Sequence, residues 1–146
     1  MTDISRSALL PYSAQQVFEL INDVSAYPQF MDGCVGAQII SHRADAMEAR
    51  LDLAKAGLQY SLTTRNRLDP PHSVVMELVD GPFEQFSGRW SLKALGDNAC
   101  KVNLDLHFTL HSKVLSNAVK TLFNPMADNL VDALVKRAHQ LFRANG

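Results

Sequence analysis

Strict alternation of apolar and polar residues marks the middle of the chain. Leu58, Tyr60 and Leu62 are separated by the polar residues Gln59 and Ser61, and the same period of two recurs in four other segments. A period of two places successive side chains on opposite faces of a β-strand. The alternating segments begin near Met47, Leu58, Val74, Phe86 and Lys101. Each has one apolar and one polar face, so the pattern predicts an antiparallel meander that is buried on one side.

The N-terminal part of the chain follows other patterns. Residues Ile4–Leu9 are typical of an edge strand, and Pro11 stops it. Ser13 is a candidate N-cap for a short helix that ends near Asn22. A second helical turn is predicted over Ser25–Phe30.

From about Ser112 to Arg143, apolar residues recur in pairs at helical spacing and form one broad stripe. A straight helix of that length would span roughly 45 to 48 Å. A compact domain of this size is roughly 38 Å across. A bend is therefore predicted near Pro125, because proline lacks the N–H that a helix interior needs. The predicted fold class is α+β: a curved antiparallel sheet of six or seven strands around a long C-terminal helix, in a single domain over residues 1–146.

The apolar rows of the sheet and the stripe of the helix should face a common space. Two interpretations stay open: a core filled by side chains, or an apolar cavity that binds a hydrophobic small molecule. We favour the cavity, with a ligand held between the sheet and the helix. The residues predicted to line it are Tyr60, Met76, Phe86, Trp90, Leu106, Phe108, Leu122, Met126 and Leu130.

Two aromatic residues are predicted at the mouth of that cavity. Phe30 precedes the loop Met31-Asp32-Gly33, and Phe83 follows the rigid Gly81-Pro82 turn. An exposed aromatic on such a loop can gate a cavity or touch a membrane. The alternative is a hairpin turn in which Phe83 packs into the core.

Charge and composition limit the partners. The chain has 47% hydrophobic and 20% charged residues and a formal net charge of −1, which argues against a protein that coats nucleic acid, and no DNA partner is expected. Arg65 and Arg67 lie two apart at a strand end, so both should face the same side, where they are candidate contacts for lipid or ribosomal RNA phosphates. The alternative is an ordinary solvated polar face.

The sequence contains no apolar run of about 18 residues, and Met1–Pro11 lack the continuous apolar stretch that is typical of a signal peptide. We therefore expect a cytoplasmic protein, with peripheral contact to the inner membrane as an option. Cys34 and Cys100 are expected to be reduced, small, partly buried residues.

Neither catalysis nor metal binding is expected. His107 and His111 are four apart, but His107 lies in a clear period-two strand, so the pair lacks the helical face that a metal motif needs. The clear carboxylates fall on the outward rows of the sheet. The polar groups placed inside are the hydroxyls of Tyr60 and Thr64 and the indole N–H of Trp90. These are poor general acids or bases near neutral pH, so the chain is not predicted to be an enzyme or to need a cofactor.

Several separated motifs resemble a known family in the same order along the chain. They are Val17-Phe18, Asp23-Val24, Tyr27-Pro28-x-Phe30, Cys34, Asp80-Gly81-Pro82-Phe83, Gly88-x-Trp90 and Arg137-Ala138. Together they resemble the coenzyme Q-binding and ribosome-association-toxin (RatA-type) family. It belongs to the START-like, or polyketide cyclase/dehydrase-like, superfamily. One departure concerns the cavity mouth: members often carry Pro-Trp before the cysteine, where this chain has Asp32-Gly33.

The resemblance implies a helix-grip fold and two functions. In one, the protein binds ubiquinone without catalysis, as a lipid carrier or chaperone that supports cellular respiration. In the other, a toxin of a toxin–antitoxin system binds the large ribosomal subunit and blocks subunit joining. The apolar inward rows suit a lipid tail, whereas the positive charge is scattered along the sequence. The residues therefore favour the ubiquinone carrier, with the ribosome as the alternative partner.

Overall fold

The alternating segments form strands of one antiparallel sheet. The computed structural model describes residues 2–55, 57–110 and 124–142. Within them the strands lie in the order β1-β7-β6-β5-β4-β3-β2, and each neighbouring pair is antiparallel. The strands are β1 Thr2–Leu10, β2 Cys34–His42, β3 Ala46–Lys55, β4 Leu58–Asp69, β5 Ser73–Asp80, β6 Phe83–Ala94 and β7 Cys100–Leu110. The predicted antiparallel meander is confirmed, with β1 at one edge.

Strand β2 was not among the segments predicted from the alternation. Its pairing with β3 shifts register between Cys34 and Gly36 and again between Ile39 and Ser41. Each shift moves the following side chains to the other face of the sheet, which breaks the period of two that reveals the other strands. Backbone pairing with β3, rather than its own pattern, makes this segment a strand.

A capped helix and a short 3₁₀ helix cross from β1 to β2. Helix α1 spans Ala14–Asn22, and the side chain of Ser13 accepts a hydrogen bond from the backbone N–H of Gln16. The Gln16 side chain in turn accepts from the backbone N–H of Ser13, which completes a capping box. A 3₁₀ helix follows over Val24–Gln29, where a helical turn was predicted.

The C-terminal region forms a helix that packs across one face of the sheet. Residues 124–128 are helical, Asn129 forms a turn, and helix α2 spans Leu130–Phe142. The backbone N–H of Asn129 still donates to Pro125, and that of Ala133 to Asn129, so the helical hydrogen bonding continues through the turn. The irregularity that the structure describes is thus the turn at Asn129, about one helical turn beyond Pro125, near which the bend was predicted. The predicted start of this helix, from Ser112 to residue 123, lies outside the described residues.

The two faces of the sheet differ as the alternation predicts. The inward face carries the buried core, which includes Leu53, Val74, Leu104 and Phe108. Helix α2 contacts β1 and α1 and covers part of this face. No described helix has both the length and the apolar character needed to cross a membrane.

Candidate functional site

An apolar cavity lies between the inward face of the sheet and the C-terminal helical region. Its volume is about 80 Å³. It is walled by β3 to β7 on one side and by the 3₁₀ helix and the C-terminal helical residues on the other. The lining residues are Val24, Tyr27, Met31, Ala49, Leu51, Leu53, Leu62, Thr64, Asn66, Met76, Phe86, Trp90, Leu106, Met126, Ala127 and Leu130. The sheet and the helix therefore leave a space between them.

The structure brings a group of the predicted lining residues together at this cavity. They are Met76, Phe86, Trp90, Leu106, Met126 and Leu130. Gly88 makes room for this wall, because a Cβ there would lie 2.6 Å from Cε of Met76 and 2.7 Å from Cδ2 of Leu106. A side chain at position 88 would push both neighbours toward the cavity.

Other predicted lining residues lie elsewhere. Phe108 is fully buried in the core, outside the cavity wall. Tyr60 borders a separate recess with Val35 and Gln59, and its buried hydroxyl has no hydrogen-bond partner among the described residues. Leu122 lies outside the described residues.

A groove of about 320 Å³ adjoins the cavity on the side of the 3₁₀ helix. Met31, Met126 and Leu130 line both spaces, so these three side chains form the partition between them. Phe30 lines the groove, which places this residue next to the partition. The volume of the groove, even without the cavity, reaches the lower end of the 300 to 1,000 Å³ that is usual for small-molecule sites.

The Phe83 ring lies away from this partition. It is only 4% exposed and packs against Phe86 and Phe108, with ring centroids 5.3 Å and 5.8 Å apart. Phe83 is therefore part of the core, as in the alternative that the hairpin turn left open. Two neighbouring aromatic rings bury it more completely than a loop tip could.

The Asp32-Gly33 departure shapes the partition directly. Gly33 has a positive φ of 86°, and a Cβ there would lie 2.4 Å from the terminal methyl of Met126. A residue with a side chain would be strained at that φ and would displace Met126. Asp32 lines the groove. Because Gly33 has no side chain, the Met126 side chain can lie between the cavity and the groove.

Arg137 fastens helix α2 to the wall of the groove. Its guanidinium donates to Oε1 of Gln29 over 3.0 Å and lies 5.6 Å from the centroid of the Phe30 ring. The Phe30 ring in turn meets Tyr27 edge-on at 5.4 Å. This cation–π and hydrogen-bonded contact fixes the distance between the 3₁₀ helix and α2.

Two buried polar side chains interrupt the apolar wall. Thr64 and Asn66 are 9% and 6% exposed and occupy successive inward positions of β4. Oδ1 of Asn66 has no hydrogen-bond partner among the described residues. Thr64 was placed inside by the alternation, but Asn66 was not considered. Extending the row Tyr60, Leu62 and Thr64 by one more step would have found it.

Two further polar groups, the Tyr27 hydroxyl in the wall and the Cys34 thiol outside it, are engaged by backbone carbonyl groups. The Tyr27 hydroxyl donates to the carbonyl oxygen of Ile21, and burial, followed by Cys34 and Asp23, raises the Tyr27 pKa well above its usual value. Burial also raises the pKa of the Cys34 thiol, whose Sγ lies 3.4 Å from the carbonyl oxygen of Gly36. Neither group is poised to act as a base at neutral pH.

On the outward face of the sheet, the two predicted phosphate contacts are already paired with carboxylates. Arg65 lies 3.3 Å from Oε1 of Glu48, and Arg67 lies 3.4 Å from Oε1 of Glu77. Both arginines point to the same side, as the spacing predicts. The acidic partners on β3 and β5 largely cancel their charge for a phosphate.

Three other cations on the outward face lack such partners. Arg89, Lys93 and Lys101 are exposed, and none has an ion pair among the described residues. Lys93 and Lys101 lie directly opposite each other on β6 and β7. Like charges in that position repel, which lowers stability unless an anion lies between them. We call these three residues the cationic cluster; the acidic Asp105 lies opposite Arg89 and accepts from Ser5.

The histidines do not assemble a metal site in the described part of the chain. His107 pairs with Asp3 at 2.7 Å, and Nδ1 of His139 lies 2.6 Å from the Tyr12 hydroxyl. His111 lies outside the described residues. No group of three or more His, Cys, Asp or Glu side chains with metal-binding spacing occurs among the residues described.

The chain is similar in sequence to one described protein family and to several named proteins. The family described as polyketide cyclase/dehydrase and lipid transport matches residues 10–135. The ribosome association toxin RatA of Escherichia coli K12 is 41% identical over 99% of this chain and 91% of its own length. RatA of Pseudomonas aeruginosa is 43% identical over 97% and 98%. The mitochondrial coenzyme Q-binding protein COQ10 of Drosophila melanogaster is 26% identical over 93% of this chain and 58% of its own length.

Solved structures share the fold at low sequence identity. The Zhui aromatase/cyclase of Streptomyces sp. R1128 superposes with a TM-score of 0.85 at 17% identity, over 99% of this chain and 98% of its own. A START superfamily protein of Mycobacterium smegmatis superposes with a TM-score of 0.78 at 23% identity, over 95% and 98%. The helix-grip fold is thereby confirmed.

Proposed function

The chain belongs to the polyketide cyclase/dehydrase and lipid transport family, and on that premise we propose that it associates with the ribosome. The observation that carries this proposal is the 41–43% identity to the RatA toxins named above, which extends over nearly the whole of each chain. In its finer form, the protein binds the large subunit and prevents subunit joining. This ranks the ribosome ahead of the ubiquinone carrier that the sequence favoured.

The cationic cluster is the surface that suits an RNA partner. Ribosomal RNA presents closely spaced phosphates, which favour cations that are not already neutralised by the protein. Arg89, Lys93 and Lys101 form no ion pair within the described part of the chain, although Asp105 lies opposite Arg89, whereas Arg65 and Arg67 have acidic partners. We therefore assign the contact to β6 and β7 rather than to β4.

Two double variants with the same change in net charge test this assignment. Lys93→Glu with Lys101→Glu should abolish cosedimentation with purified large subunits, while Arg65→Glu with Arg67→Glu should retain most of it. For the wild type, binding should weaken as salt rises, and the log–log slope should fall by about 0.7 to 0.9 for each phosphate contact that is lost.

The controls test separately whether the protein binds the ribosome and whether the cationic cluster makes the contact. If wild-type protein fails to sediment with large subunits at low salt, ribosome association is wrong. If the Arg65/Arg67 variant loses more binding than the Lys93/Lys101 variant, the function stands but the assigned surface is wrong. Overproduction should also lower incorporation of labelled methionine, and the Lys93/Lys101 variant should relieve that effect.

The cavity supports a second function, the binding of a hydrophobic small molecule such as a ubiquinone-like lipid. Its described wall is apolar except for Thr64, Asn66 and the polar atoms of Tyr27 and Trp90, and it adjoins a larger groove at Met31 and Met126. Burial contributes roughly 0.8 kcal/mol per CH₂ group, so a prenyl or alkyl tail needs few polar contacts. One surface and one cavity can serve both functions in the same molecule.

Native mass spectrometry tests the ligand. Protein purified without detergent, or incubated with short-chain quinones, should carry a bound molecule that organic solvent extracts. A Gly88→Leu variant, which pushes Met76 and Leu106 into the cavity, should reduce occupancy. Apo protein after both treatments would end the ligand proposal and leave ribosome association untouched.

We also propose that the cavity binds without catalysing a reaction. Among the described wall residues, the titratable side chain is Tyr27; its hydroxyl donates to the Ile21 carbonyl, and its pKa is raised by burial. General acid–base chemistry needs a group that titrates near the working pH. A bound ligand should therefore be recovered chemically unchanged after prolonged incubation, and a modified ligand would contradict this.

A further inference from the structure

Asn66 and Thr64 are an unusual pair for the wall of an apolar cavity. They sit next to each other on the inward side of β4, and the other described lining residues are aliphatic, aromatic or methionine. Asn66 is 6% exposed, and its Oδ1 is buried without a hydrogen-bond partner among the described residues. A buried acceptor that the fold does not satisfy is costly unless something else supplies the donor.

The chemistry of the pair defines what would satisfy it. The Asn66 amide offers one acceptor and two donors, and the Thr64 hydroxyl can both donate and accept. A ligand hydroxyl can donate to Oδ1 and at the same time accept from Thr64 or from the amide. A carbonyl or an ether oxygen can only accept, so it would leave Oδ1 of Asn66 unpaired.

The shape of the cavity defines the rest of the ligand. At about 80 Å³ it is smaller than the roughly 150 Å³ engineered cavity known to hold benzene, so a ring fills it only if the partition moves. Met31 and Met126 are unbranched and adaptable, and Leu130 completes the partition. Moving these side chains joins the cavity to the groove beside Phe30.

We propose that Thr64 and Asn66 form a subsite for the hydroxyl of a compact ring, whose apolar substituent passes the partition of Met31, Met126 and Leu130 into the groove. The subsite selects the hydroxyl-bearing form of the ligand over its carbonyl or ether analogue. This rests on the proposed binding of a hydrophobic molecule and adds the group that the ligand must carry. Tyr27, Phe86 and Trp90 supply the aromatic surfaces for the ring.

A matched pair of probes tests the subsite on the chain of residues 1–146. 4-Butylphenol and 4-butylanisole differ only by a methyl on the oxygen, so the ether has lost the donor but kept the apolar body. Trp90 is the only tryptophan in the sequence and lines the cavity, so its fluorescence reports binding directly. We expect the phenol to bind about tenfold more tightly than the ether.

Two variants assign the effect to the subsite. Asn66→Leu keeps the volume but removes the amide, and it should bring the phenol to within about twofold of the ether while the ether binds as before. Asn103→Leu makes the same replacement on the outward face of β7 and should keep the tenfold preference. Retained ether binding shows that the Asn66→Leu variant is folded with its cavity intact.

The outcomes separate the two levels of the proposal. If neither probe binds the wild type, the ligand function itself fails. If both bind equally, the cavity is a ligand site but Asn66 and Thr64 do not select a hydroxyl. If the preference for the phenol survives in Asn66→Leu, another group binds the hydroxyl and the proposed subsite is wrong. The same conclusion follows if the preference is lost in Thr64→Val but not in Asn66→Leu.

Discussion

Strand β4 carries two very different kinds of polar residue on its two faces. Arg65 and Arg67 point outward, and although water could solvate them, each has a carboxylate partner. Thr64 and Asn66 point inward, where water is excluded, yet Oδ1 of Asn66 has no partner among the described residues. Satisfied polar groups in water contribute little, whereas an unsatisfied one in the interior costs about 1 to 3 kcal/mol.

On strand β4, the inward polar residues are better candidates for a functional role than the outward arginines. The outward arginines are the more conspicuous residues in the sequence, but their ion pairs already account for them. The inward amide is neutral and inconspicuous, but its Oδ1 has no hydrogen-bond partner among the described residues, so its acceptor is open to a ligand or a water molecule. The same contrast holds on the outward face, where the cationic cluster, which has no ion pair among the residues that the structure describes, is a better candidate for RNA than the paired arginines.

The largest effect should come from truncating an apolar neighbour on the inward face. Leu62→Ala removes a buried side chain of the cavity wall and should lower the free energy of unfolding by about 2 to 3 kcal/mol. Thr63→Ala, one residue away on the outward face, should change it by less than about 0.5 kcal/mol. Urea unfolding followed by Trp90 fluorescence measures both. Equal losses would contradict the assignment of the two faces.

A smaller effect of opposite sign is expected at the subsite. Asn66→Leu replaces a buried amide, whose Oδ1 lacks a partner among the described residues, with an apolar group of similar volume and should raise the free energy of unfolding by about 1 kcal/mol. The same variant should lose the preference for a phenol. A stability gain together with a functional loss is typical of a residue kept for binding. Destabilisation by the leucine would instead show that the amide supports the fold.

Removing the outward arginines should change stability still less. Arg65→Gln and Arg67→Gln each break one exposed ion pair, and such pairs contribute between about 0.2 and 1 kcal/mol. We expect losses near the lower end, reduced further in 0.5 M salt. Thermal unfolding at low and high salt is the measurement. A loss that salt does not reduce would mean that the arginine stems, rather than the charges, support the sheet.

The smallest effect is a pH dependence at Asp52 on β3. Hydrogen bonds from Ser61 and then Arg50 hold the pKa of this exposed carboxyl below its ordinary value. A lowered pKa contributes stability above the unfolded value of about 3.9 and loses it as the pH falls through the folded pKa. The stability advantage of the wild type over Asp52→Asn should therefore shrink between pH 5 and pH 3. An advantage that is constant across that range would contradict it.

Most of the fold could be predicted because its signals are local. Alternation over β3 to β7 reflects which face of each strand is buried, and Ser13 caps α1 through residues three apart. Strand β2 could not be predicted, since its two register shifts destroy the local pattern and only its partner β3 defines it. The position of Phe83 likewise depends on Phe86 and Phe108, which are brought next to it by strand pairing.

The sequence by itself determined the faces of strands β3 to β7, the capped start of α1 and the apolar rows that the cavity uses, because each depends on residues a few positions apart. Tertiary structure alone decided that Arg65 and Arg67 have acidic partners, that Arg89, Lys93 and Lys101 lack described ones, and that Asn66 opens into the cavity. These properties depend on what neighbouring strands and the closing helix place beside each side chain. Hydrogen bonds and ion pairs act over a few ångströms of space, whatever the distance along the chain.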